Sequence, residues 1–221
     1  MGLMGPAMSM PLLPQWLRIV WAVALAGVLL VHVWHAWSVP GQPRWWHIGH
    51  IIMALGMMGM YLVGMAHTGL SRAGVVLFAV MTVALATTAV VFRRRERVLN
   101  PLWVASAVDT LAMTYMLLPP AAQPTGVRWV FIAYLACQTL AWALGLWDRV
   151  PVFQAAPSAL GPVPATRATA TTGRVQAVAT ATAIPAQSGD RVLGLTAHCT
   201  PAIRVSLAVM AASMAYMLAV M

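Results

Sequence analysis

PLWVASAVDTLAMTYMLLP, residues 101–119, is an almost unbroken apolar run with one charged side chain, Asp109, near its centre. As a helix it rises about 28 Å at about 1.5 Å per residue, close to the roughly 30 Å of a bilayer's hydrocarbon core. Within it Asp109, Met113 and Met116 are spaced four and then three apart, which keeps them on one helical face. The same pattern, [Met/Asp]-x3-Met-x2-Met, recurs as Met53, Met57, Met60 and as Met210, Met214, Met217. In the earlier copy the stripe runs back through His50 to His47. Thioethers and imidazoles with one carboxylate form a donor set that a soft ion such as Cu(I) prefers. The candidate metal ligands are therefore His47, His50, Met53, Met57, Met60, Asp109, Met113, Met116, Met210, Met214 and Met217.

The rest of the chain has the same character. Of its 221 residues 61% are hydrophobic and 8% charged, with a mean hydropathy of +0.81; a soluble domain carries about a quarter charged. Six runs approach the length needed to cross a membrane, at 16–38, 46–66, 72–92, 101–119, 127–147 and 201–221. The expected fold class is an all-α membrane protein, a bundle of six transmembrane helices. The first run reads as a span and not as a cleaved leader, because it is too long for a signal core and leads into Trp34, His35 and Trp37.

A net charge of +9 would suggest nucleic acid in a soluble protein, but here the cations mark topology, and no nucleic-acid partner is expected. Arg93, Arg94, Arg95 and Arg97 cluster between the third and fourth runs, which assigns that turn to the cytoplasm and attracts it to anionic lipid. Alternation then puts both termini outside, in a multi-pass protein of the inner (plasma) membrane. All thirteen cations are arginine, a bias that fits a GC-rich genome such as an actinobacterium's. Trp34, Trp37, Trp45, Trp46, Trp103, Trp129 and Trp147 fall near the ends of runs, as an interfacial aromatic belt would.

Four regions follow: a Met-rich segment over 1–15, five helices over 16–147, a flexible Pro/Ala/Thr-rich cytoplasmic linker over 148–200, and a sixth helix over 201–221. The repeated stripe falls on the second member of each consecutive pair, so three helical hairpins are expected, with the striped helices parallel and equivalent positions at similar depth. Ala54, Gly56, Gly59 and Gly64 are small enough for another helix to approach closely.

His32 and His35 end the first run, and His47 and His50 begin the second, across a short turn, so the four imidazoles can meet at one depth. Interfacial placement is expected for His32 and His47, and a deeper ligand or proton-handling role for His50. Asp109 must face the bundle interior, where it is liganded or hydrogen-bonds Thr110, Thr114 or another helix. Arg204 is expected to reach the interface instead of pairing with Asp109. No phosphate-cradling glycine loop, His-Glu-x-x-His helix or carboxylate pair is present, so no enzyme is expected.

The segment HIGHIIMALGMMGM (47–60), together with MAASMAYML (210–218), resembles a family of uncharacterised actinobacterial integral membrane proteins, catalogued as a domain of unknown function. The resemblance implies architecture, with His47, His50, Met53, Met57 and Met60 at the family's most characteristic positions, and no established activity. Leu207 stands where His50 would align in the last repeat. Three functional expectations compete: binding or trafficking of copper as Cu(I), a non-catalytic accessory subunit docked to membrane-protein partners, and a haem-carrying electron-transfer protein using the first two helices.

Overall fold

The structure, a computed structural model, describes residues 14–63, 68–151 and 200–221. The Met-rich segment and nearly all of the linker lie outside them, as do Gly64 and Cys199. Among the described residues there are six α-helices and no strand: α1 (Gln15–Ser38), α2 (Gln42–Val63), α3 (Thr68–Glu96), α4 (Pro101–Leu117), α5 (Thr125–Ala143) and α6 (Pro201–Val220).

Local chemistry sets where these helices begin and end. Pro101 and Pro201 occupy first-turn positions, where a missing N–H is harmless and the fixed φ favours a helix. Asn100 accepts from the backbone N–H of Leu102 and Thr200 from that of Ile203, each satisfying an orphan donor. Gly41, at φ +82°, turns the chain between α1 and α2. The arginine cluster is not wholly a loop, as the sequence implied: α3 runs on through Arg93, Arg94 and Arg95, whose charges complement its C-terminal dipole, and Arg97 follows at φ 60°. α5 ends four residues early, at Ala143, because Gly145 takes φ +63° and the Arg204 guanidinium packs over it.

Three long helical stretches are apolar enough to cross a membrane by length and composition: Gln15–Ser38, Ser71–Glu96 and Pro201–Val220. α4, at 17 residues, rises only about 25 Å. It also carries Ser106, Asp109, Thr110 and Thr114, while α2 carries His47, His50 and four glycine or glutamine residues.

The closest packed pairs are α1 with α2, α3 with α4 and α5 with α6, so the helices associate as sequence-consecutive hairpins. α1 also packs on α6, and α4 touches both α2 and α6. Cross-contacts fix direction. Trp46 meets Ser106 near the starts of α2 and α4, and Tyr61 meets Ser213 towards the ends of α2 and α6. α2, α4 and α6 therefore run parallel. They supply most of the buried core, while α3 turns most of its surface outward through Val76, Val80, Val83 and Val90.

Two expected roles for small residues separate here. A Cβ on Gly56 would stand 2.5 Å from the Phe78 ring, whereas nothing lies within 4 Å of one on Gly59. Gly56→Ala should therefore destabilise by about 1–3 kcal/mol through overpacking. Gly59→Ala should be neutral or stabilising by up to about 1 kcal/mol through helix propensity. Unfolding midpoints of the two variants in detergent, compared with the wild type, check both signs.

Candidate functional site

The three stripes converge. Met53, Met57, Met113, Met116, Met210, Met214 and Met217 are each at most 6% exposed and belong to one buried cluster with Leu25, Val28 and Leu135. Equivalent positions share a level. The Ser213 hydroxyl, beside Met214, donates to Met57 Sδ at 3.2 Å. The Met113 terminal methyl lies 3.3 Å from where a Cβ on Gly56, beside Met57, would be. Met57, Met113 and Met214, the middle members of the three repeats, thus lie at one level of three parallel helices and in one buried cluster. Two striped residues behave differently. Met60 is half-buried and borders a side cleft between α2 and α3. Asp109 sits at the edge of the core beside Tyr134 of α5, and its Oδ1 has no hydrogen-bond partner. The Thr110 and Thr114 hydroxyls, considered above as its partners, go to backbone carbonyls of α4, and Thr82 donates to Thr110.

One end of this core is capped by imidazoles. The His32 ring centroid lies 5.1 Å from that of His47 and 5.0 Å, stacked, from that of His50, and His35 is 5.4 Å from His47. His32 and His47 are buried, at 0% and 4% exposure, and not interfacial as their positions near helix ends implied. The reason is α6: Ser206 faces His32 Nε2 at 3.1 Å and closes the cluster from the third hairpin.

Hydrogen bonding fixes which ring nitrogens are protonated. A carbonyl only accepts, so Nδ1 of His50 donates to Trp46 O at 2.8 Å and Nδ1 of His35 donates to Val31 O at 2.8 Å. The Ser206 hydroxyl donates to Ile203 O at 2.7 Å, so it accepts from His32 Nε2–H. His32 Nδ1 then accepts from His47 Nδ1–H across 2.9 Å. In the neutral rings this leaves Nε2 of His35, His47 and His50 as bare lone pairs, the nitrogen a metal-binding histidine presents when its other N–H is anchored. Among the described residues, however, no three His, Cys, Asp or Glu side chains are grouped to hold a metal ion. An inclusive site must draw on sulfur.

Haem between two of these rings does not fit. His32 touches both His47 and His50, and the Trp46 ring lies 4.2 Å from His50, leaving no gap for a macrocycle.

Two functional residues escaped the sequence reading. Trp46 was grouped with the interfacial belt but is 3% exposed, packs at a tilt against His50 and donates to Ser106 Oγ at 2.9 Å. Its i, i+4 spacing to His50 was the available signal. Trp103 is likewise buried, donating to Gln42, whereas Trp34, Trp37, Trp45 and Trp129 are exposed as the belt requires. Ser206 had no signal of its own beyond its place in the last repeat. Arg204 does not pair with Asp109; it reaches Asp148 at 3.6 Å and faces the last carbonyls of α5.

No family model, curated protein or solved structure matches this chain.

Ser206→Ala should strand the His32 Nε2–H donor and lower unfolding stability by about 1–3 kcal/mol. Nitrogen-15 spectra of the histidines should show His35 and His50 protonated at Nδ1 in the wild type. A His50 protonated at Nε2 alone would contradict the Trp46 hydrogen bond.

Proposed function

We propose that all six helices span a membrane and that the methionine core binds Cu(I), holding or passing it along the axis between α2, α4 and α6. The observation that carries this reading is the burial of seven methionines, from three separate helices, in a single cluster next to His50. Methionine used as filler on a lipid face would point outward and apart; here the sulfur-bearing side chains are packed inward, and the Ser213–Met57 contact puts one sulfur at the α2–α6 interface. Thioethers select Cu(I) over harder ions. His50, one turn before Met53 and with Nε2 bare in its neutral form, offers a nitrogen ligand at the entrance to the sulfur core. This is a binding role, with no catalytic group assigned.

The topology belonging to this reading places the Arg93–Arg97 turn in the cytoplasm and both termini outside. With Cys137→Ala and Cys199→Ala removing the native thiols, a Leu99→Cys variant should resist an impermeant thiol reagent in intact cells and react after permeabilisation. Labelling of intact cells would reverse the orientation.

Copper is tested on the detergent-purified protein under reducing conditions. About one copper per chain should be retained, and Met57→Leu combined with Met113→Leu and Met214→Leu should abolish retention. Each Met→Leu swap costs less than about 1.5 kcal/mol, so the fold should survive and the loss is then one of ligands. A wild-type protein that takes up no Cu(I) removes the reading; if it also co-purifies with a fixed partner, an accessory-subunit role takes its place.

A further inference from the structure

α2 and α3 are consecutive in sequence, yet they are not among the closely packed pairs. Between them runs a cleft. One part, about 380 Å³, is bordered by Gln42, Trp45, Gly49 and Ile52 of α2 and by Ala84 and Phe92 of α3. It continues past Ile52 into a second part of about 520 Å³ beside Gly56, Gly59 and Gly74. Trp103 and Leu117 of α4 line these two parts, and the walls are almost entirely apolar. From Gln42 to Ile52 a helix climbs about 15 Å, half of a hydrocarbon core and so the depth of one leaflet.

The mouth of the first part is basic. Arg93, Arg94, Arg95 and Arg97 are all exposed at the end of α3, and Arg44 is exposed in the first turn of α2. The Arg95 guanidinium lies 6.0 Å over the ring of Phe92, which itself lines the cleft, so this charge stands at the opening. Glu96 is the carboxylate here, and it accepts from Gln42 Nε2 at 3.0 Å, tying the two helices together at the rim. An apolar trough one leaflet deep under five arginines is complementary to an amphiphile with an anionic head and a hydrocarbon tail.

We infer that the α2–α3 cleft is a binding site for an anionic phospholipid, its headgroup on Arg44 and Arg93–Arg97 and one acyl chain along Gly49, Ile52 and Ala84. This goes beyond the copper reading and shares with it only the assignment of the helices to a membrane. The part assigned to the acyl chain, along Gly49, Ile52 and Ala84, is lined by none of the seven buried methionines, so either site can fail without the other. Exposed arginines near an anionic surface contribute about a fivefold preference each.

The test is native mass spectrometry of the full chain from detergent, titrated separately with phosphatidylglycerol and phosphatidylcholine. Recovery from the membrane fraction comes first; a soluble chain would defeat the membrane assignment itself. Phosphatidylglycerol should remain bound at energies that strip phosphatidylcholine. Arg93→Gln with Arg94→Gln should cut that preference by more than tenfold. Gly49→Leu, whose Cβ would meet nothing closer than the Met81 methyl at 4.0 Å, should displace the bound lipid of either class by filling the trough. Ala84→Trp, from the exposed α3 side, serves the same purpose should Gly49→Leu not fold. Copper retention should be unchanged in all of these variants. Equal retention of the two lipids, or occupancy indifferent to both trough-filling substitutions, overturns the inference. A dimer that dissociates on Gly49→Leu with lipid content unaltered would assign the cleft to a second copy of the chain instead.

Discussion

Side chains with polar atoms inside an apolar bundle must find partners on neighbouring helices, and that constraint fixes the arrangement of this one. In lipid there is little hydrophobic force pushing one helix against another, so packing and interhelical hydrogen bonds decide register. The polar contacts here are distributed accordingly. His32 to His47 joins α1 to α2, Ser206 to His32 joins α6 to α1, and Trp46 to Ser106 joins α2 to α4. Tyr61 to Ser213 O joins α2 to α6, and Thr82 to Thr110 joins α3 to α4. Each such bond is worth only about 0.6 kcal/mol on average. Their effect is directional: a helix rotated by one residue would strand a donor on two partners at once. The methionines then fill what lies between, because an unbranched thioether adapts to whatever space the polar contacts leave.

Much of this was legible in the sequence. The boundaries of the six apolar runs match the helices to within a few residues, because hydropathy and proline position are local properties. The inward turn of the stripes was also legible, since a spacing of four and three fixes a common face and repetition on three helices implies a common centre. The failures are all tertiary. His32 and His47 looked interfacial because they lie near helix ends, but Ser206, on a helix more than 150 residues further along the chain, covers them. Trp46 and Trp103 looked like members of an aromatic belt, yet α4 lies against one and Gln42 holds the other. Asp109 has the right spacing for the sulfur core, but α5 offers it Tyr134 first.

The difference in apolarity among the helices follows from their positions. α3, whose most apolar window is 11% buried, is the most hydrophobic of the three helices long and apolar enough to cross a membrane. α2 and α4 are screened by their hairpin partners, so they can carry histidine, serine, threonine and aspartate at little cost. α6 is half buried and still apolar because methionine and aliphatic side chains, with only Ser206 and Ser213 among them, occupy its inner face.

The three hairpins are equivalent in sequence pattern and in internal packing, but the seams between them are not. Where α6 meets α1, Trp21 lies against Tyr216 at 5.8 Å and His32 against Ser206, and the seam is closed. Where α4 meets α5, Tyr134 donates to Ala105 O at 3.3 Å and lies beside Asp109, with Gln138 and Trp147 holding its other side. Where α2 meets α3, Gly49 and Gly59 leave the seam open, while Gly56 admits the Phe78 ring and Gly74 the Leu117 side chain. Here one is sealed, one holds a carboxyl with an unpartnered oxygen, and one is left open below the exposed arginines at the end of α3. The three methionine stripes share one buried core, and the seams between the hairpins differ in chemistry.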